Sequence, residues 1–246
     1  MNEILARQLA LDYCLSPEEV TDQNNHFTVY EPREGRRLFQ MDQELYLKIC
    51  IVNGKILFSG RPDILQWCRE QYEDSGAEWF FEPKNLRKMN ARFLQDGYQI
   101  ETAHPFYIGP EITPVDTAGW DLRWFEQEEI LQFKDDPRFD EAYAFDPAAP
   151  DMLGVSAVEE GEYLGTAGAS ADSDTMWQIG IIVDEKRRKK GLGTLLTTVL
   201  KNEVLKRGKL PFYGHSMAHI ASQRVGLGAG FIPSWWELAT SKIENQ

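Results

Sequence analysis

Apolar and polar positions alternate with two different periods along this chain of 246 residues. Runs with a period of two are typical of half-buried strands, and runs with a period near 3.6 predict amphipathic helices. After residue 119 the predicted order is strand, helix, hairpin and strand, followed by helix, strand, helix and strand. These elements are "WDLRWF", a helical stretch through Phe133, "MLGVSAVEEGEYLGTAGAS", "MWQIGIIV", "GLGTLLTTVLKNEVLKRGK", "LPFYGHSM", "AHIASQRVGLGAG" and "FIPSWWELA".

The first hundred residues also mix helices and strands. "LYLKICIVNGKILFSG" alternates on both sides of Asn53-Gly54, which predicts a hairpin. "DILQWCREQYE" has helical spacing with Asp63 as the expected N-cap, and "KNLRKMNARFLQDG" predicts a helix that ends at Gly97. "EWFFEP" and "YQIETA" are expected to be strands. No group of side chains in this part suggests catalysis.

Glycine and proline mark a boundary between these two parts. "HPFYIGPEITPVDTAG", residues 104–119, contains three prolines and two glycines, which disfavour both a helix and a central strand. We therefore predict an N-terminal α/β domain at 1–110 and a C-terminal α/β domain at 119–246.

Composition excludes several classes of protein. Apolar residues make up 42% of the chain, but no apolar run approaches the ~18 residues of a membrane span, so no membrane association is expected. The N-terminus lacks the basic start and apolar run of a signal peptide, which favours a cytoplasmic location. Three scattered cysteines suit free thiols, with neither a disulfide framework nor a metal site. A net charge of -13 argues against a nucleic-acid partner.

The charge is distributed unevenly. Residues 119–183 contain 3 basic and 15 acidic side chains, and residues 184–210 contain 9 basic and 3 acidic ones. Five consecutive basic residues, 186–190, precede Gly191, Leu192 and Gly193 at the start of a predicted helix. Helix N-termini favour acidic side chains because their unpaired N–H groups carry partial positive charge.

Cations and glycines at a helix start predict a bound anion. Glycine lets a ligand approach the backbone, free N–H groups donate to it, and lysine or arginine adds attraction, so the inferred ligand carries phosphates. The chain has no GxxxxGK[ST] string, and Leu196 stands where GxGxxG needs its third glycine.

Two blocks of sequence resemble a known family. "VDEKRRKKGLGTLL", residues 183–196, has a strand ending in Val, a short turn, Arg-x-x-Gly-x-Gly and a helix. "HIASQRVGLGAGF", residues 219–231, is similar to the family's N-x-x-S helix followed by Gly-Phe. In both blocks the chain resembles the GNAT superfamily of N-acetyltransferases, over roughly residues 119–240. The resemblance implies a mixed, mostly antiparallel sheet flanked by helices.

The resemblance also implies an acetyl-CoA site and no metal. The pyrophosphate is expected on the loop backbone, the pantetheine arm beside the preceding strand, and Ser222 near the thiol. An N–H of that strand would polarise the acetyl carbonyl, and an amine would attack the thioester directly in a ternary complex. The expected cofactor-binding residues are Ile181, Ile182, Val183, Arg188, Lys189, Lys190, Gly191, Leu192, Gly193, Thr194, His219 and Ser222.

Three positions depart from the family pattern. His219 replaces the usual Asn, Gly226 replaces the usual Tyr that protonates the leaving thiolate, and Gln178 replaces a common Glu base. Catalytic candidates from the sequence are therefore Tyr213, His215 and Ser222, or a water. For the base, the open alternatives are water, Asp172 and Asp174.

Function is predicted as N-acetyl transfer to a small-molecule or lysine-bearing primary amine, and the acidic segment 119–183 suits a cationic acceptor. The alternatives are a non-catalytic acyl-CoA-binding module, suggested by Gly226 and Gln178, and an interaction protein with a basic loop and no cofactor. The N-terminal part is either a degenerate GNAT-like copy, since 90–103 parallels 222–235, or an unrelated α/β domain. The sequence leaves the oligomeric state open, a homodimer included.

Overall fold

The computed structural model describes residues 1–37 and 45–243 of a mixed α/β protein. The helices are α1 (Glu3–Asp12), α2 (Pro17–Thr21), α3 (Pro62–Tyr72), α4 (Pro83–Phe93), α5 (Gln127–Ile130), α6 (Leu192–Lys206) and α7 (Ile220–Gly228). The strands are β1 (His26–Val29), β2 (Leu47–Val52), β3 (Lys55–Gly60), β4 (Tyr98–Ile108), β5 (Asp121–Glu126), β6 (Asp151–Glu159), β7 (Glu162–Ser170), β8 (Met176–Val183), β9 (Leu210–Gly214) and β10 (Ile232–Lys242).

The chain divides into two compact units. One comprises residues 1–106 and 234–246, and the other comprises residues 107–233. These bounds differ from those of the two predicted domains, which stay predictions. No helix in the described ranges is long and apolar enough to cross a bilayer.

The first unit is built on strands in the order β1-β3-β2-β10-β4. β1 runs parallel to β3, whereas β2 runs antiparallel to both β3 and β10. Asn53 and Gly54 both have positive φ, 49° and 80°, which confirms the predicted tight hairpin between β2 and β3. Side chains from α3 and α4 pack with this sheet in one apolar core that includes Phe58, Cys68 and Phe93.

Two local predictions in this unit are wrong. The N-cap of α3 is Arg61, since Pro62 starts the helix and leaves Asp63 in its first turn. Residues 78–82 form turns and no strand. Phe80 N donates to Ala77 O and Glu82 N to Trp79 O, so local bonds satisfy backbone groups that a strand would use for its ladder.

A buried cluster of charged side chains also lies in the first unit. Arg37 Nε donates to Asp12 Oδ2 at 2.6 Å, and both side chains are almost fully buried. Arg37 Nη2 donates to Glu237 Oε1, which also accepts a hydrogen bond from the Tyr13 hydroxyl. Burial costs charged groups their hydration, so this cluster is stable only because its members are paired.

The second unit has the strand order β9-β8-β7-β6-β5. The pairs from β8 to β5 are antiparallel and β8 with β9 is parallel, which confirms the predicted mixed, mostly antiparallel sheet. Helix α6 covers one face, where Leu192, Leu196 and Leu200 join the strand side chains in one core. The period of its apolar residues predicts an amphipathic helix, and these leucines form its buried face.

The opposite face of this sheet is covered by the segment that follows α5. Phe133, Phe139 and Tyr143 pack there with Phe125 of β5. The approach is close because Gly154, Gly168 and Gly180 lie in register on three adjacent strands. A β-carbon at Gly168 would lie 2.2 Å from Ala142 O, and one at Gly180 would lie 2.5 Å from Glu141 O.

The proline-rich stretch 104–119 does not interrupt the strand before it. Contrary to prediction, β4 continues through Pro105 to Ile108, since the φ of proline lies in the β region and its ring removes only one donor. Beyond it, Thr113 N donates to Asn202 Oδ1 at 3.0 Å, and Lys201 Nζ donates to the Thr113 hydroxyl at 2.8 Å. These bonds attach the segment after β4 to α6 within the second unit.

Candidate functional site

The sheet of the second unit splits between two parallel strands. β8 and β9 pair only from Met176–Gln178 to Leu210–Phe212. β8 nevertheless continues to Val183, and its other edge stays paired with β7 along residues 178–183. Residues 179–183 thus have no strand partner on the β9 side within the described chain. Their backbone N–H and C=O groups on that side are available to an extended ligand.

The basic turn, residues 186–190, lies at the open end of this split, where β8 ends at Val183. Residues 185–187 form one 3₁₀ turn, and the Asp184 carboxylate accepts a hydrogen bond from Lys186 N at 2.9 Å. Lys189 and Gly191 then adopt positive φ, 63° and 83°. Gly191 suits this left-handed conformation because it has no β-carbon, and it allows α6 to begin directly behind the strand.

Two of the five cations in the turn are paired. Arg187 bonds the Glu159 carboxylate, and Arg188 Nε donates to Val183 O at 3.0 Å. No ion pair is found for Lys186, Lys189 or Lys190 among residues 1–37 and 45–243, and all three are exposed. Three lysines are therefore available to an anionic ligand beside the helix start.

The N-terminus of α6 is uncapped. Its N-cap is Gly191, which offers no side-chain acceptor, and the first helical bond runs from Leu195 N to Gly191 O at 3.0 Å. The N–H groups of Leu192, Gly193 and Thr194 precede that bond. They are the donors that a phosphate group at a helix N-terminus requires.

At the closed end of the split, Tyr213 follows the last paired residue of β9. Its hydroxyl lies 2.6 Å from Ser222 Oγ of α7. Burial raises the pKa of Tyr213, the Ser222 hydrogen bond lowers it, and the charge of Glu141 raises it further, with a net upward shift. The phenol is consequently protonated near neutral pH and can donate.

Tyr213 also explains the glycine on α7 at position 226. A β-carbon there would lie 3.1 Å from Tyr213 Cδ1 and 3.3 Å from Cε1. The ring of Tyr213 therefore occupies the space into which a side chain at position 226 would begin to extend. The missing tyrosine of the resemblance is matched by a tyrosine on the neighbouring strand.

His215 lies one residue past β9 and is 8% exposed. Its Nδ1 lies 2.8 Å from Ser216 O, and because a carbonyl oxygen only accepts, Nδ1 carries the proton. In the neutral ring Nε2 holds a lone pair, and this atom is buried without a hydrogen-bond partner in the described part of the chain. The ring contacts that of Tyr107 at a centroid distance of 5.2 Å.

The other predicted residues fall into two groups. Ile181, Ile182 and Val183 form the free edge of β8, and the loop residues Arg188, Lys189, Lys190, Gly191, Leu192, Gly193 and Thr194 follow it directly. His219 lies farther along the chain as the exposed N-cap of α7. Its side chain makes no hydrogen bond within residues 1–37 and 45–243, so its assignment stays a prediction.

The candidates for the base lie on or near the β7–β8 connection. Gln178 is half-buried and pairs with Ser170 across the strands. Asp172 is 5% exposed and accepts a hydrogen bond from Ser170 at 3.3 Å, whereas Asp174 is exposed. Among the described residues, no group of three or more His, Cys, Asp or Glu side chains could hold a metal ion.

Glu141 is a residue that the sequence analysis missed. Its backbone lies over Gly180, its side chain is exposed next to the buried Ala142, and its charge acts on Tyr213. It is one of 15 acidic residues in 119–183, and only the close approach at Gly180 distinguishes it. That approach requires the cross-strand row of glycines, which no local spacing reveals.

Comparison with known proteins gives one family. Residues 117–224 match the model described as "Acetyltransferase (GNAT) family". No curated protein matches the chain.

Several solved structures are similar to parts of this chain. A GCN5-related N-acetyltransferase from Kribbella flavida is 19% identical over 66% of this chain and 74% of that one, with a TM-score of 0.47. A putative GNAT-family acetyltransferase from Novosphingobium aromaticivorans is 13% identical over 58% of this chain and 66% of that one, with a TM-score of 0.43. A putative acetyltransferase from Salmonella typhimurium, solved with its cofactor acetyl-CoA, is 14% identical over 52% of this chain and 96% of that one, with a TM-score of 0.37.

Proposed function

Because residues 117–224 match the GNAT acetyltransferase family, we propose that this protein transfers an acetyl group from acetyl-CoA to a primary amine. The observation that carries the proposal is the split between β8 and β9. It leaves residues 179–183 with a free strand edge that leads to an uncapped helix N-terminus.

The residues at this split fit the chemistry of acetyl-CoA. Amide groups of a pantetheine arm can pair with the free edge of Ile181–Val183 as an added strand would. The N–H groups of Gly193 and Thr194, with Lys189 and Lys190 nearby, suit a pyrophosphate. Acetyl-CoA supplies the thioester, and an N–H of the free edge would polarise its carbonyl as an oxyanion-type donor.

The acceptor is proposed to be a cationic molecule that bears a primary amine. Glu141 holds an exposed carboxylate whose charge acts on Tyr213, and the segment 119–183 around it is strongly acidic. Such a surface attracts cations and raises their local concentration. The amine must lose a proton, and we assign its acceptance to the free lone pair of His215 or to water, because Gln178 cannot accept a proton.

Two measurements test this proposal. Calorimetry with CoA asks whether the protein binds it, and thiol release from acetyl-CoA with a panel of mono- and diamines asks whether it turns over. We expect micromolar binding and turnover with at least one amine. Binding without turnover would support the non-catalytic acyl-CoA module, and absence of CoA binding would leave only the interaction protein.

A further inference from the structure

We propose that Tyr213 and Ser222 act as one proton-donating pair for the leaving thiolate. This inference rests on the proposed acetyl transfer and assigns a role to the two hydroxyls at the closed end of the split. Their oxygens lie 2.6 Å apart, a short distance for two neutral hydroxyls.

The position of the pair follows from the register of the two strands. The last β8–β9 pair is Gln178 with Phe212, and Tyr213 is the next residue of β9. A ligand that enters at the basic turn and pairs with the edge of β8 reaches this point with its far end. From Val183 to Gln178 the strand covers about 17 Å at ~3.3 Å per residue. The thiol end of such a ligand therefore arrives beside Tyr213 and Ser222.

The two hydroxyls differ in access. Tyr213 is 2% exposed, whereas Ser222 is half-buried on α7. Ser222 is thus the hydroxyl that a ligand can contact. Tyr213 lies behind it and donates the proton that Ser222 passes on. Because the phenol stays protonated near neutral pH, the pair can donate under the conditions of the reaction.

The step balances in atoms and charge. The amine nitrogen forms a bond to the acetyl carbon, the carbon–sulfur bond breaks, and its electron pair stays on sulfur. Ser222 gives its proton to sulfur while Tyr213 gives its proton to Ser222 Oγ. The proton lost by the amine nitrogen, passed through His215 or water, restores the phenol, so the products are an amide and a free thiol.

The space at Gly226 makes this arrangement specific to the chain. The Tyr213 ring lies 3.1 Å from where a β-carbon at 226 would be, so a larger residue there would displace the ring. Gly226 and Ser222 lie four residues apart on α7, on the same side of the helix. Gly226 therefore leaves space for the Tyr213 ring, and Ser222 forms a hydrogen bond with the Tyr213 hydroxyl.

Three variants test the pair: Tyr213→Phe, Ser222→Ala and the double variant. The control is Tyr163→Phe, because Tyr163 of β7 packs with Phe125 and Phe139 on the opposite face of the sheet. Each substitution removes only a hydroxyl group and leaves the rest of the side chain in place. We expect kcat with acetyl-CoA to fall by about 100-fold in each single variant, with the KM for acetyl-CoA unchanged. The double variant should be no slower than Tyr213→Phe, because the two groups act as a unit. The control should keep the wild-type rate.

Two further readouts separate a proton donor from a packing residue. An acetyl ester of an aromatic thiol needs no acid because its thiolate is a weak base, so Tyr213→Phe should use it within about threefold of the wild-type rate. The thiol pKa of bound CoA, followed by thiolate absorbance against pH, should rise in Tyr213→Phe. In that variant Ser222 no longer receives a hydrogen bond from the phenol, so its hydroxyl is a weaker donor to the thiolate. Besides this thiol, the titratable groups near the pair are His215, whose ring centroid lies 6.4 Å from that of Tyr213, and Glu141, whose charge acts on Tyr213.

The outcomes are distinguishable from failure of the proposed function. If the wild-type protein acetylates an amine but Tyr213→Phe keeps its kcat and its bound-thiol pKa, the pair is not the donor. The proposal would also be overturned if Tyr213→Phe lost the same share of kcat with acetyl-CoA and with the acetyl ester of an aromatic thiol. Losses of kcat that multiply in the double variant would overturn it as well. If the wild-type protein binds CoA without turnover, acetyl transfer fails, and an unchanged thiol pKa would overturn the pair separately.

Discussion

Tyr143 lies directly on Gly168. A β-carbon at Gly168 would come 2.6 Å from Cδ1 of Tyr143, closer than two carbon atoms approach in folded proteins. The same ring covers Gly154 on the next strand, where its hydroxyl would lie 1.9 Å from an added β-carbon. The glycine row thus lets the segment with Glu141 lie against the sheet beside the split.

Gly168→Ala should destabilise the second unit. The added methyl group would overlap the Tyr143 ring and the Ala142 carbonyl, and overpacking of this kind costs about 1–3 kcal/mol. Urea unfolding should show a lower midpoint with an unchanged slope. Gly193→Ala is the control, since its β-carbon would meet its nearest atom at 3.4 Å. Equal stability of both variants would contradict the close approach.

Gly191→Asp should weaken CoA binding. The variant places a carboxylate at the N-terminus of α6 and a β-carbon at a φ of 83°, and both effects oppose a phosphate there. We expect the Kd from calorimetry to rise at least about tenfold, or 1.4 kcal/mol. Gly208→Asp makes the same change at a φ of 74°, beyond the other end of the same helix, and should leave the Kd within about twofold. If the two variants bind CoA equally, the basic turn is not the site.

Arg37→Met should be severely destabilising. It removes the cation that Asp12 and Glu237 share inside the first unit, and removal of one partner from a buried ion pair costs about 3–5 kcal/mol. Chemical unfolding of this variant should be compared with that of Arg7→Met. Arg7 pairs with Glu3 on the surface, where both side chains are more than two-thirds exposed, and its loss should cost less than about 1 kcal/mol. A similar small cost for both would show that the buried pair is not required.

Stability of the first unit should rise with pH because of Lys48. Burial lowers the pKa of Lys48 to about 7, against the raising effect of Asp12. Above pH 7 the folded state releases this proton while the unfolded state, with its ordinary lysine pKa, retains it. The free energy of unfolding should therefore increase with pH, by at most about 1.4 kcal/mol per pH unit.

Lys48→Met removes this contribution, so its slope of stability between pH 7 and 8.5 should be smaller than that of the wild type. The pH range ends at 8.5 because of the Cys50 thiol. Burial raises the pKa of this thiol, so at higher pH it makes the free energy of unfolding fall with pH. Both proteins contain Cys50, so the difference between their slopes isolates Lys48. Parallel slopes would show that Lys48 is not neutral in the folded state.

Local sequence determined most of the elements. Strong periodicity placed β8 and α6, and turn chemistry placed the Asn53-Gly54 hairpin and the left-handed Gly97, since these depend on neighbouring residues alone. The helix predicted to reach Gly97 ends earlier, because α4 stops at Phe93 and a 3₁₀ turn at Leu94–Asp96 leads to the glycine. The spacing from Arg188 to Gly193 likewise identified the basic turn, because a helix start with glycine has the same geometry wherever it occurs. The strand predicted for "EWFFEP" is wrong because its apolar residues are as compatible with a turn as with a strand.

Only the tertiary structure decided how separate segments meet. It placed Tyr213 over Gly226, joined its hydroxyl to Ser222, and set Glu141 against Gly180. It also left Nε2 of His215 buried without a partner in the described chain. Such contacts depend on strand order and on where β8 and β9 separate, and they join residues far apart in sequence. The sequence by itself therefore identified a basic turn before a helix, and packing determined which side chains lie at the other end of the split.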